Sequence, residues 1–192
     1  IKYVEKLGSA QCKSSIMLGA IKTPGTTIIK AKKSRNHTEL IFDFLKIPIK
    51  VLKKKNYDLI EITGPANYSG FNYKVPGDIS SSAFFMVLTL LSKKSKIILR
   101  NVNVNNSRIG IIKILNKMNG NISLKNERIY NGEKVADIIV KSRKNIKSIN
   151  CPKNLNSSAI DEFLVIFLVA AKAKGVSTFR NLSELNKKES PR

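Results

Sequence analysis

The stretch SAFFMVLTLL at residues 82–91 begins an apolar helix, and SSIML at residues 14–18 begins another one 68 positions earlier. A third apolar segment, at residues 163–171, follows a pair of serines in the same way. After each segment come a short basic or glycine-containing turn and a predicted strand, at residues 26–30, 96–100 and 177–180. Self-similarity at a fixed spacing is typical of a chain built from repeated structural units.

The similarity continues beyond the first strand of each copy. Apolar residues at helical spacing predict a second helix, at positions 40, 41, 44 and 45 in one copy and 111, 112, 115 and 118 in the next. Two strands follow in each copy, at residues 49–52 and 59–62 and at residues 122–124 and 138–140. With a strand before its first helix, the unit is βαβαββ. The sequence therefore predicts an α/β fold of repeated βαβαββ units, the third of them incomplete.

The helices at residues 83–91 and 163–171 are apolar nearly all round, which indicates that other elements enclose them. We therefore expect the helices to be buried and central, with the sheets outside them. A connector rich in Gly, Asn and Tyr, at residues 66–75, lies between a Gly-Pro and a Pro-Gly pair. It predicts two lobes, at residues 1–75 and 76–192.

Composition excludes several classes of protein. The 192 residues are 42% hydrophobic, too apolar for a disordered chain, and the longest apolar runs are far shorter than the ~20 residues of a membrane span. The net charge is +22, but the basic residues are spread in short runs without an RNP-type motif. This favours a solvated surface over a nucleic-acid partner, with a site for a polyanionic small molecule as a third interpretation. Because the chain starts with Ile1 and ends amid a continuing pattern, we expect a piece of a longer protein.

The two cysteines, Cys12 and Cys151, are far apart and lack CxxC or Cys/His spacing, so the sequence predicts neither a disulfide framework nor a zinc site. Cys12 lies in a pattern of small and apolar residues and is expected to be buried. Reduced thiols fit a cytoplasmic location.

Two segments of the first lobe carry candidate anion-binding groups. Ser9 and Gln11 lie where the first helix begins, and free N–H groups there attract anions. The alternative is an ordinary serine cap. Ser34 and Arg35 follow the first strand and precede a helix, where both side chains can hold a phosphate. The only histidine, His37, is either a base or a structural hydrogen-bonding group.

The second lobe offers carboxylates. Asp161 stands before the most apolar helix, as a general base or as a partner of the helix dipole. Lys188, Glu189 and Arg192 close the chain and can combine proton transfer with anion binding, or be solvated charges.

Together, five segments resemble the 5-enolpyruvylshikimate-3-phosphate (EPSP) synthase family of enolpyruvyl transferases. GSAQCKSS at residues 8–15 resembles its Ser-Ala-Gln-x-Lys-Ser segment, and SRNHTE at residues 34–39 its Ser-Arg-Asp-His-Thr-Glu loop. VPGDISSSAFF at residues 75–85 is similar to Val-Pro-Gly-Asp-x-Ser-Ser-Ala-Ala-Phe-Phe. DEF at residues 161–163 and KKESPR at residues 187–192 match Asp-Glu-Ile and Val-Lys-Glu-Ser-Asp-Arg. The five occur in the family's order.

The resemblance implies an inside-out α/β barrel in two lobes of three βαβαββ units each, of which this chain would hold the end of the upper lobe and part of the lower. The implied reaction moves the enolpyruvyl group of phosphoenolpyruvate onto the 5-hydroxyl of shikimate 3-phosphate and releases phosphate. It needs no cofactor or metal and implies a monomer in the cytoplasm, with no nucleic-acid or membrane partner.

The resemblance also implies roles for individual residues. Substrate-binding positions are Ser9, Ala10, Gln11, Ser34, Arg35 and Arg192, of which Arg192 and Gln11 contact phosphoenolpyruvate. Asp161 is implied as the base at the 5-hydroxyl, Glu189 as the group that transfers a proton at the methylene carbon, and Lys188 as a neighbouring catalytic group.

Several departures from the family pattern stand beside these matches. Pro191 and Asn36 each replace an Asp, and the family's N-terminal Gly-Ser-Lys-Ser and later Asp-His-Arg segments do not occur, so the chain alone is expected to be inactive. Two alternatives stay open: UDP-N-acetylglucosamine enolpyruvyl transferase, whose helix-start motif differs from residues 11–14 (QCKS), and a basic α/β nucleic-acid-binding module.

Overall fold

The structure is a computed structural model that describes residues 1–183 and residue 185. The chain forms two compact units. The first contains Ile1–Lys74 and the short segment Tyr130–Glu133, and the second contains Val75–Ile129 and the described residues from Lys134 onward. Nothing in the sequence predicts that Tyr130–Glu133 belongs with the first unit. That these units correspond to the family's upper and lower lobes is a proposal.

The first unit is one complete βαβαββ repeat. Its elements in chain order are β1 (Lys2–Glu5), α1 (Ala10–Ala20), β2 (Gly25–Lys32), α2 (His37–Phe44), β3 (Ile49–Lys53) and β4 (Tyr57–Gly64). The sheet order is β1-β2-β4-β3, with β1 parallel to β2 and the other pairs antiparallel. Along β4, Ile60 and Ile62 are buried while Glu61 and Thr63 are exposed. Such alternation is typical of a sheet with one solvated face, so this sheet covers the helices from outside.

The connector that follows β4 packs onto the first unit rather than hanging free. The Phe71 ring lies 5.5 Å from the Phe44 ring of α2 and 5.8 Å from the Tyr73 ring, and Tyr73 lies 5.7 Å from Tyr130. These aromatic contacts account for the position of the 130–133 turn in the first unit.

The second unit repeats the pattern with changes. Its elements are α3 (Ile79–Leu91), β5 (Lys96–Asn103), α4 (Gly110–Lys117), β6 (Asn121–Tyr130), β7 (Glu133–Lys141), a 3₁₀ turn (Lys153–Leu155) and α5 (Phe163–Lys172). The sheet order β5-β7-β6 reproduces β2-β4-β3. The strand that should precede α3 is reduced to a single parallel bridge between Gly77 and Val102. The mixed α/β architecture of the prediction is therefore confirmed, with no closed barrel over residues 1–183.

The strand predicted at residues 177–180 is wrong. Thr178 makes only an isolated parallel bridge to Asn150, and a second isolated bridge joins Lys147 to Lys174. The two segments pair at only these isolated positions, so no continuous ladder forms between them. The third repeat therefore keeps the parallel pairing that joins β1 to β2 in the first unit, but only at isolated residues.

The two most apolar helices each have one buried and one exposed face. On α3, Ala83, Met86 and Leu90 are buried, whereas Phe84 and Leu88 are 64% and 65% exposed. On α5, buried and exposed apolar residues alternate in the same way. The prediction that these helices are buried all round is therefore correct for one face only, because the described elements of the unit pack on that side.

No helix in the described part of the chain is long and apolar enough to cross a membrane.

The two cysteines differ in environment. Cys151 is buried, and that burial raises the pKa of its thiol. Cys12 is exposed on α1, contrary to the expectation. The helix turns its lysine at position 13, rather than Cys12, toward the interior.

Gly110 begins α4 at a point of close packing. An added β-carbon would lie 2.6 Å from Ser158 Oγ and 2.7 Å from the Ala159 β-carbon. We expect Gly110→Ala to destabilise the protein by about 1–3 kcal/mol, because the segment that leads to Asp161 would have to move. Thermal unfolding followed by circular dichroism measures the effect. Gly19→Ala in α1 is the matched control, since an added β-carbon there meets nothing within 4 Å, and it should be neutral or stabilising. Equal melting temperatures for wild type and Gly110→Ala would contradict the close packing.

Candidate functional site

The loop that leads into α1 is ordered by one carboxylate. Glu5, 3% exposed, accepts hydrogen bonds from the backbone N–H groups of Leu7 at 2.8 Å and Gly8 at 2.8–2.9 Å, and a longer one from Ser9 at 3.2 Å. Gly8 has a φ of +81°, a left-handed conformation that glycine adopts at little cost. This loop therefore presents a fixed helix start.

Ser9 caps α1, as predicted by the alternative of an ordinary serine cap. Its Oγ accepts a hydrogen bond of 3.2 Å from the backbone N–H of Cys12. Ala10 is the first residue of the helix, and the Gln11 side chain is exposed. The cap leaves the Ser9 hydroxyl proton able to donate to a ligand.

The loop between β2 and α2 lies beside this helix start. A β-carbon added at Gly8 would be 3.5 Å from Lys32 Cδ and 3.7 Å from the Lys33 carbonyl oxygen. Lys13 of α1 donates a hydrogen bond of 2.7 Å to the Arg35 carbonyl. The structure thus brings the segments of Ser9 and Arg35 together within the first unit.

Within that loop, Ser34 has a property that suits ligand binding. Its Oγ is buried and has no hydrogen-bond partner among the described residues. A buried hydroxyl without a partner is unfavourable, and a bound phosphate or hydroxyl group would satisfy it. The next residue, Arg35, is half-buried and lies in the same loop, just before α2.

His37 is paired rather than free. Its Nδ1 is hydrogen-bonded to the buried Glu133 carboxylate, within the first unit. The geometry therefore supports the structural alternative for His37 over a role as a base.

In the second unit, Asp161 precedes a polar cluster at the start of α5. Asp161 is half-buried, and the next residue, Glu162, is 3% exposed. Ser80 of α3 donates a hydrogen bond of 2.5 Å to Glu162 Oε1. Arg108 lies 3.9 Å from the same oxygen and donates 2.6 Å to Ser80 Oγ. The starts of α3 and α5 are therefore tied together next to Asp161.

Asp78 completes this cluster as the cap of α3. Its Oδ2 accepts a hydrogen bond of 2.8 Å from the Ser81 backbone N–H, and its Oδ1 accepts one of 3.1 Å from Arg108. Partial burial acts to raise the pKa of Asp78, but the hydrogen bonds from Ser81 and the charge of Arg108 outweigh it, and the pKa is lowered.

We expect Asp78→Ala to lower the free energy of unfolding by about 1 kcal/mol at pH 7, as for loss of a helix cap. Because the folded-state pKa is depressed, the ionised cap contributes fully above the ordinary carboxyl pKa and its contribution is lost as pH falls through the depressed value. Urea unfolding at a series of pH values should therefore show a gap between wild type and variant that closes toward acid. A gap that widens toward acid would contradict the assignment.

Three site residues predicted from the sequence, Lys188, Glu189 and Arg192, lie outside the described residues. The sequence predictions also missed the buried charges of Lys13 and Glu39, which pair at 2.5 Å. The sequence feature that could have indicated this pair is the lysine on the apolar face of α1. Arg108 was missed as well.

Comparisons with known proteins identify the family of this chain. The family model for EPSP synthase (3-phosphoshikimate 1-carboxyvinyltransferase) matches residues 1–192. The chain belongs to the EPSP synthase family. A 3-phosphoshikimate 1-carboxyvinyltransferase of Ruthia magnifica is 42% identical over 193 residues, which are 100% of this chain and 43% of that protein. One of Synechococcus elongatus is 40% identical and is covered to 42%.

A solved structure of EPSP synthase from Acinetobacter baumannii is similar with a TM-score of 0.89 and 36% identity. That likeness covers 100% of this chain and 42% of the other. The chain thus spans about two fifths of the length of the EPSP synthases it matches. These findings do not favour UDP-N-acetylglucosamine enolpyruvyl transferase or a nucleic-acid-binding module.

Proposed function

We propose that the complete protein carrying this chain transfers the enolpyruvyl group of phosphoenolpyruvate to the 5-hydroxyl of shikimate 3-phosphate and releases phosphate. One observation supports this most strongly: the two segments that match the family's substrate-binding motifs lie side by side in the first unit, joined by Lys13 and the Arg35 carbonyl at 2.7 Å. The family model matches the whole chain as well.

In this proposal the first unit binds shikimate 3-phosphate. Ser9 and Ser34 supply hydroxyl donors, Arg35 supplies a fixed positive charge, and Gln11 supplies an amide that reaches both substrates. Ala10 contributes backbone at the helix start. The unpartnered Ser34 hydroxyl supports a ligand at this loop. Charge-assisted hydrogen bonds to phosphate are the strong ones, which suits Arg35 for the phosphoryl group.

The second unit and the end of the chain supply the proton transfers. Asp161 takes the proton of the 5-hydroxyl group, and the hydroxyl oxygen bonds to the carbon of phosphoenolpyruvate that carries the phosphate. Glu189 gives a proton to the methylene carbon. Glu189 then takes a proton back from that same carbon, the double bond is restored and the C–O bond to phosphate breaks, while the proton held by Asp161 passes to solvent. Arg192 binds the anionic groups of phosphoenolpyruvate, and Lys188 is the neighbouring catalytic group.

No cofactor is part of the proposal, because addition and elimination at an enol phosphate need only an acid and a base. We propose a monomer in the cytoplasm, with the two anionic substrates as its partners and no nucleic acid or membrane.

The test is steady-state phosphate release by the complete gene product. We expect phosphate to form only when phosphoenolpyruvate and shikimate 3-phosphate are both present, and not when UDP-N-acetylglucosamine replaces shikimate 3-phosphate. Activity with the nucleotide sugar, or with neither acceptor, would overturn the proposal.

A further inference from the structure

The two motif segments of the first unit, residues 8–15 and 34–39, contact each other through side chains of α1 and α2. Lys13 Nζ lies 2.5 Å from Glu39 Oε1, and the Ser14 and Thr38 hydroxyls are 2.6 Å apart. Lys13 and Ser14 belong to α1, whereas Thr38 and Glu39 belong to α2. Each segment thus has one set of residues at its loop and a second set that binds the other segment.

The Lys13–Glu39 pair is deeply buried, with side-chain exposures of 1% and 5%. Glu39 Oε2 has no hydrogen-bond partner among the described residues. A buried ion pair adds little net stability, because desolvation of both charges offsets their attraction, and an apolar pair of similar volume is often as stable. Stability alone therefore does not account for two charges here.

The second contact of the Lys13 ammonium indicates what the pair does. Its ammonium donates 2.7 Å to the Arg35 backbone carbonyl, so the same group binds α2 through Glu39 and the loop through Arg35. Glu39 fixes where the ammonium stands, and the ammonium fixes the loop backbone. The loop so held carries the Ser34 hydroxyl and the Arg35 guanidinium.

We propose that Lys13, oriented by Glu39, is a positioning residue that sets the Ser34–Arg35 loop against the start of α1 for shikimate 3-phosphate. This inference rests on the proposed function for the identity of the ligand. It predicts that loss of the ammonium weakens binding of that substrate specifically, since a backbone displaced by about 1 Å can cost ~100-fold.

The test is the double variant Lys13→Met with Glu39→Leu in the complete gene product. Both buried charges leave together, so we expect a melting temperature close to wild type. The KM for shikimate 3-phosphate should rise by about 10–100-fold, with kcat and the KM for phosphoenolpyruvate changed by less than about twofold. Backbone amide exchange at residues 34–37, followed by mass spectrometry, should become faster.

Two further variants keep the test sharp. Ser14→Ala removes the neighbouring contact between the helices but leaves Lys13 in place, and it should leave the KM for shikimate 3-phosphate and the loop exchange unchanged. Lys13→Gln with Glu39→Gln keeps polar groups facing each other, but its shorter amide does not reach the Arg35 carbonyl. It should reproduce the rise in KM if the apolar pair fails to fold.

A double variant with wild-type KM for shikimate 3-phosphate and wild-type exchange at residues 34–37 would overturn the positioning role. If wild type itself does not use shikimate 3-phosphate, the proposed function fails on its own, and loop exchange decides the positioning role. Faster exchange in the double variants alone then supports it, and unchanged exchange overturns it.

Discussion

Replacement of Asp161 by Asn is expected to lower kcat by ~10²–10⁴, the usual range for loss of a general base. Asn keeps the size of the side chain and a carbonyl acceptor but cannot take the proton of the 5-hydroxyl. The two substrates should still bind, so their KM values should change much less than kcat. Initial rates of phosphate release at saturating substrates measure the effect.

Asp137→Asn is the matched control for Asp161→Asn. Asp137 is a carboxylate of β7 in the same unit, bonded to the Asn101 backbone N–H at 2.9 Å and to Asn126 at 2.8 Å, with no place in the proposed chemistry. Its variant should turn over like wild type. Full activity of Asp161→Asn would show that the base is a different group.

Replacement of Arg35 by Ala is expected to raise the KM for shikimate 3-phosphate by about 10–100-fold, which corresponds to the ~1.5–3 kcal/mol of a hydrogen bond to a charged group. Because this contact is made in the ground state as well as in the transition state, kcat should change little. Arg35→Lys keeps the charge but loses the planar pair of donors, so its KM should fall between those of wild type and Arg35→Ala.

Lys33→Ala controls for the general loss of positive charge from the same loop, since Lys33 is exposed two positions before Arg35. Its KM for shikimate 3-phosphate should stay close to that of wild type. An equal rise in both alanine variants would assign the effect to the field of this basic chain rather than to a specific contact at Arg35.

The order of helices and strands could be predicted because it depends on local pattern. Apolar residues at a spacing of 3.6 or 2 identify which face of an element is buried, and the repeat of those patterns at residues 14 and 82 fixed the βαβαββ unit. The structure confirms that unit in Lys2–Gly64 and shortens it in the second copy. Strand pairing depends on neighbours, so the bridge at Thr178 could not be distinguished from a strand by its residues alone.

The contacts within the candidate site depend on residues far apart in the chain, and the sequence pattern does not specify them. His37 meets Glu133 across 96 positions, and Lys13 meets Glu39 across 26. Which side of α1 faces inward was also misjudged, because Cys12 was expected in the core whereas Lys13 is the residue buried there. A buried lysine becomes predictable only when a carboxylate of another element is known to meet it.

The measurement that tests the central claim most directly is phosphorus NMR of the complete gene product with phosphoenolpyruvate and shikimate 3-phosphate. Phosphate release alone does not distinguish transfer from hydrolysis, whereas the spectrum follows both substrates. We predict that the phosphoenolpyruvate signal is replaced by that of inorganic phosphate in step with conversion of the shikimate 3-phosphate signal to that of a new phosphomonoester. Inorganic phosphate that appears while the shikimate 3-phosphate signal stays unchanged would contradict the account.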